Sequence, residues 1–80
     1  MYDCAEFVRI REKMLGMLTA IDSLVFHVHK DKKDEILKIT DLHRQDVTSM
    51  KCADRYSVEE VYAKKYQIKA LLMNVSTLML

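Results

Sequence analysis

Apolar residues recur along the first third of the chain in alternating steps of three and four: Phe7, Ile10, Met14, Met17, Ile21, Leu24 and Val28. A repeat averaging about 3.5 residues is that of a coiled-coil seam. Leu18 and Val25 widen the stripe on one flank, Val8 and Leu15 on the other. Between Met14 and Val28 the only charge is Asp22. Asp3 and Glu6 have the spacing of an N-cap and its N3 partner. These signals predict one helix over about 3–30, roughly 40 Å long at 1.5 Å per residue. A globule of this chain length has a radius of gyration of only about 12 Å. The pattern therefore predicts an elongated molecule, or a first helix lying along a second copy of itself. Gly16, Ala20, Ser23 and His27 form a further, small-residue stripe, expected to let another backbone approach closely.

The charged run Lys30 to Asp34 interrupts the apolar pattern and is read as a turn, with Asp31 and Asp34 as candidate caps. A second helix is predicted over about 34–53. Ile36, Ile39, Val47 and Met50 share one face, with His43 between them and Leu37, Leu42 and Ala53 nearby. Thr40, Thr48 and Ser49 lower its propensity, and Asp41 is placed to cap a new helix if the element breaks at Thr40. A third helix over about 58–79 opens on the capping box Ser57-Val58-Glu59-Glu60. Val61, Ile68, Leu72, Val75 and Met79 follow in heptad steps, with Lys65 in register and Leu71 and Leu78 alongside. The expected fold is all-α. It is a single domain over 1–80, a three-helix antiparallel bundle or hairpin with a long first helix. Helices 1 and 3 are expected to run roughly antiparallel, bridged by helix 2, and the chain to dimerise through helix 1.

Composition sharpens this picture. The chain is 50% hydrophobic and 31% charged, which excludes a disordered segment. Proline is absent and glycine occurs once, so little interrupts long helices. A net charge of +1 gives no strong pull toward nucleic acid or an anionic membrane. A chain of 80 residues buries only roughly 60% of its unfolded surface and is marginal alone. The added stability is expected from oligomerisation. Two cysteines, Cys4 and Cys52, are too few for a disulfide framework. Reduced thiols and a cytoplasmic location are the expectation, a single Cys4–Cys52 bridge the alternative. No secretory signal is recognised near the start. The run Met14 to Val28 is too short to cross a bilayer and carries Asp22 at its middle, so no membrane is expected.

Candidate chemistry is sparse. His27 and His29 lie on nearly opposite sides of a continuous helix and His43 is isolated, so no metal and no cofactor are expected. No glycine-rich turn surrounds a serine or cysteine, and the lone Gly16 excludes phosphate-cradling loops. The chain is read as a non-enzyme. In length and helix order it resembles the three-helix chorismate mutases, which dimerise through a long first helix and hold a dicarboxylate with Arg and Lys. Arg11 and the group Asp41, Arg44 and Gln45 resemble part of that constellation. A second arginine late in helix 1 is missing, with His27, His29 and Lys30 there. So is a glutamine near the end of helix 3, where Asn74 and Ser76 stand. The resemblance implies a small helical enzyme as one alternative.

Arg9, Arg11 and Lys13, with Lys64, Lys65 and Lys69 beside Tyr62 and Tyr66, supply a second alternative, a dimeric nucleic-acid-binding regulator. The favoured expectation is a protein-binding module: an adaptor, chaperone or inhibitor of a larger protein machine, acting through apolar helix faces on itself or another protein. Its interface residues would be Phe7, Ile10, Met14, Met17, Ile21, Leu24, Phe26 and Val28, with Tyr62, Tyr66, Leu72 and Met79 on helix 3.

Overall fold

The computed structural model describes residues 4–52 and 58–79. The expected caps Asp3 and Ser57, and Ala53, lie outside the described residues. The fold is all-α: α1 spans Cys4–Leu24, a 3-10 turn follows at Val25–His27, α2 spans Lys30–Ser49 and α3 spans Val58–Thr77. The molecule is elongated, with extents of 43 × 17 × 16 Å and a radius of gyration of 13.5 Å.

The first helix is shorter than its apolar pattern predicts. It ends at Leu24 rather than near Lys30. The five residues Val25-Phe26-His27-Val28-His29 are β-branched, aromatic or imidazole, types that lose rotamer freedom in a helix. The chain tightens into the 3-10 turn and then becomes extended at Val28 and His29. Val25 and Val28 both stay buried through this change. The break thus falls inside the apolar run. The charged residues from Lys30 to Asp34, expected to form a turn, instead make the first turns of α2. Asp31 sits in that first turn, and His29 bonds its carboxylate. This bond is the main cause that lowers the Asp31 pKa.

The ends of the helices fix their directions. Tyr62, early in α3, bonds Glu6, early in α1. At the other end Val28 forms an isolated antiparallel β-bridge with Met79. Arg11 in α1 reaches the carbonyls of Val47 and Thr48, at the end of α2. The chain therefore runs up, down and up, and α1 and α3 are parallel. The antiparallel arrangement expected for helices 1 and 3 is not the one observed. Short connections make each helix antiparallel to the next, which leaves the first and third pointing the same way.

The core is one cluster. From α1 and the turn after it come Phe7, Ile10, Met14, Leu18, Ile21, Val25 and Val28. The inward stripe drifts from the expected seam, so that Leu18 and Val25 are fully enclosed and Met17 and Leu24 only half-buried. From α2 come Ile36 and Val47, joined by Met50 just beyond it, and from α3 Val61, Ile68 and Val75. Thr40 is also fully buried, and its hydroxyl donates to the Ile36 carbonyl at 2.7 Å. α2 is thus continuous through the point where a break was conceivable. Thr40 takes the inward place expected for Ile39, which is 38% exposed.

Two consequences follow for the sequence-based expectations. The seam of helix 1 is covered by α2 and α3 of its own chain, so the burial demand that called for a second copy is met internally. And the cysteines are not free: Cys4 and Cys52 form a disulfide (S–S 2.07 Å, Cα–Cα 5.6 Å) that ties the start of α1 to the chain just past α2. The ground for expecting reduced thiols in a cytoplasmic protein is thereby removed. Among the described residues, no helix is long and apolar enough to cross a membrane.

Candidate functional site

Of the residues expected at an interface, Phe7, Ile10, Met14, Ile21 and Val28 are interior. Met17, Leu24, Tyr62 and Leu72 are half-buried. Three remain at the surface: Phe26, Tyr66 and Met79. The structure brings Tyr62 and Tyr66 into a longer stripe that includes Lys69 and Met73. These four positions recur at i, i+4, i+7 and i+11, one face of a helix. Tyr66 is 64% and Met73 61% exposed. Met73 has no part in the sequence-based expectations; its seven-residue separation from Tyr66 is the signal that places the two on one helix face.

The lower end of this stripe is rigidly held. The Tyr62 hydroxyl donates to Glu6 Oε1 at 3.0 Å, and that bond is the main cause raising the Tyr62 phenol pKa. Lys65 Nζ stands 5.7 Å from the Tyr62 ring centroid. Tyr62 thereby fixes the spacing between α1 and α3, while Tyr66 one turn further on stands out from it. Phe26 lies apart, in the turn after α1, with Lys33 Nζ 5.9 Å from its ring centroid.

The basic residues do not gather on one surface. Arg11 Nε donates to the Val47 carbonyl at 3.2 Å and Nη2 to that of Thr48 at 3.4 Å. These are orphan carbonyls at a helix C-terminus, where a cation is favoured. Lys64, on the flank of α3 that meets α2, donates to Asp46 Oδ2 at 2.8 Å and lies 3.3 Å from His43 Nδ1. Burial and the neighbouring ammonium hold the His43 pKa below its ordinary value, with Asp46 opposing them. His43 is therefore neutral near pH 7 and accepts from Lys64. Arg9, Lys13 and Lys69 are exposed.

The constellation that resembled chorismate mutase is engaged in holding the fold. Arg44 bonds Asp22 of α1 and Asp41 of its own helix. Asp41, Arg44 and Gln45 do line a groove of ≈ 490 Å³ along α2, with Thr48 and Ser49. Its one cation already carries two carboxylates, and Arg11 is spent on the α2 terminus. Neither guanidinium is free to take a dicarboxylate. Among the described residues no three His, Cys, Asp or Glu side chains cluster as a metal site. The small-residue stripe is open at Gly16, where an added Cβ would meet nothing within 4 Å.

Comparison of the chain with protein-family models, with curated proteins and with solved structures found no match.

Proposed function

We propose that this chain is a small disulfide-stapled protein-binding module whose working surface is the outer flank of α3. The observation that carries the reading is the exposure of Tyr66 and Met73, seven residues apart on one helix face; Phe26 and Leu42 are also exposed, on other elements. Aromatic and methionine side chains are enriched at the centres of protein interfaces and bind adaptably. A tyrosine has only two side-chain torsions to immobilise, so it contributes contact area at low entropic cost. The role remains that of an adaptor, chaperone or inhibitor of a larger protein. The reading does not call on self-association through helix 1, since most of that helix's apolar stripe packs against α2 and α3 of its own chain. The Cys4–Cys52 disulfide supports a working location in an oxidising compartment.

The test is a photo-crosslinking amino acid placed at Tyr66, with Thr19 on the opposite, exposed side of α1 as the control position. The chain is returned to its native host. The reading predicts a discrete adduct from position 66, competed by unlabelled wild-type chain but not by the Tyr66→Ser/Met73→Ser double variant. An adduct of equal yield from position 19, or none from position 66, would refute it.

A further inference from the structure

The flank just described has a charge as well as an apolar face. The Tyr62–Glu6 bond sets a parallel register with a separation of 56 between α3 and α1. Counting forward by seven from each partner brings Lys13 opposite Lys69, and the same flank of α1 continues to the half-buried Ala20. Arg9 is close enough for its charge to act on Tyr62. Among the described residues no carboxylate lies within ion-pair distance of Arg9, Lys13 or Lys69; the same holds for the exposed Lys30, Lys32, Lys38 and Lys51, whereas Arg44 and Lys64 are paired. Glu6 and Glu59 lie at the N-terminal ends of the two helices, with Glu6 accepting the Tyr62 bond, and the exposed Glu12 lies one turn beyond Arg9. Helical spacing thus sets Lys13 and Lys69 at matching positions of the two parallel helices, on the side where α3 carries the exposed Tyr66 and Met73.

We propose that this groove between the parallel α1 and α3 receives an amphipathic helix with an acidic edge, supplied by a different protein. The inference rests on the protein-binding reading above and names the chemistry of its partner. An apolar stripe with helical spacing in a two-helix groove is the geometry that takes a third helix. Carboxylates on that helix would settle between Lys13 and Lys69 and relieve their mutual repulsion. A second copy of this chain is the poorer occupant. A two-fold interface places the same patch against itself, and here it would set Arg9, Lys13 and Lys69 against their own equivalents.

The probe is a designed amphipathic peptide helix with Leu on one face and Glu along its edges. A second peptide carries Lys in place of Glu, and a single-stranded RNA oligonucleotide is the third ligand. Binding to the full, oxidised chain is read by amide chemical shifts and fluorescence anisotropy. The acidic helix should perturb Arg9, Lys13 and Ala20 of α1 and residues 62–76 of α3. Reversing both lysines, Lys13→Glu and Lys69→Glu, should weaken it by about tenfold or more, as expected for charge juxtaposition. The exposed Lys38→Glu on α2 should leave it unchanged. The inference is overturned if the basic peptide binds as well, if the charge reversals have no effect, or if RNA occupies the same residues with greater affinity. Failure of these variants to change the Tyr66 photo-adduct, while Tyr66→Ser/Met73→Ser still abolishes it, would sink the acidic partner and leave the protein-binding surface standing.

Discussion

Breaking the Cys4–Cys52 bond is the perturbation with the largest calculable effect. The bridge spans a separation of 48 residues. In the chain-entropy account, closing a loop of about that length removes roughly 4 kcal/mol of denatured-state freedom at 25 °C. A domain of this length has a total stability of about 4–12 kcal/mol at typical values per residue. The bond is thus worth between a third and all of it. Both ends of the loop are already close in the folded chain, since Arg11 fastens the end of α2 to α1 nearby. Reduction should therefore leave the native arrangement intact where it still folds, and act through the unfolded state. The assay is urea unfolding followed by circular dichroism, on the oxidised chain, the reduced chain and the Cys4→Ser/Cys52→Ser variant. With a slope of about 1 kcal/mol per molar urea, the midpoint should fall by about 3–4 M. The weakest outcome consistent with the account is a fall of about 2 M. A midpoint unchanged within about 0.3 M, or native thiols that alkylate freely before reduction, would refute the reasoning.

The remaining predictions concern helix surfaces and one titration. Gly16→Ala should raise stability by about 0.5–1 kcal/mol, a gain of a few degrees in Tm, because the added methyl meets open space and glycine is a poor interior helix residue; a lower Tm would show that something lies against the stripe. Ile21→Asp should unfold the chain, since it buries an unpaired charge at a fully enclosed site. Phe26→Ser, at a position 73% exposed, should change stability by less than about 0.5 kcal/mol; equal urea midpoints for the two variants would contradict the burial assignment. The folded-state pKa of His43 lies below its ordinary value of 6.5, so the unfolded chain takes up that proton first as pH falls. Its contribution is complete above about pH 6.5 and is lost progressively toward the lower folded-state pKa, where imidazolium and the Lys64 ammonium repel. His43→Gln should remove that segment of the stability–pH curve, and a curve unaltered as pH falls below 6.5 would exclude the burial of His43 beside Lys64 as its source.

Much of the core is written in the periodicity. Phe7, Ile10, Met14 and Ile21 in α1 and Val61, Ile68 and Val75 in α3 are apolar at helical spacing and are enclosed. What periodicity does not carry is direction. An apolar stripe is the same whether its neighbour runs parallel or antiparallel, and it is also the same whether the neighbour belongs to the chain or to a copy. The helix break at Val28 and His29 was hidden because no glycine or proline marks it; low helix propensity spread over five residues does the work. The pairing of Cys4 with Cys52 depends on the up-down path of α1 and α2, which returns the chain to the start of α1. The roles of Arg11, Arg44 and Lys64 were equally hidden. A cation on a helix flank looks solvated until the neighbouring helix supplies its carbonyl or carboxylate. The exposed stripe was half legible: Tyr62 and Tyr66 stood out as an i, i+4 pair, whereas Met73 needed the seven-residue step.

The central claim is that the chain closes its core within one subunit and leaves the Tyr66–Met73 flank outward. Peroxide footprinting of the native, oxidised chain at high dilution, read with its native mass, tests this directly. The account predicts a 9.4 kDa species in which Met73 is oxidised well before Met14, which is fully enclosed. Equal oxidation of Met14 and Met73, or a species of twice that mass in which Met73 is protected, would contradict it.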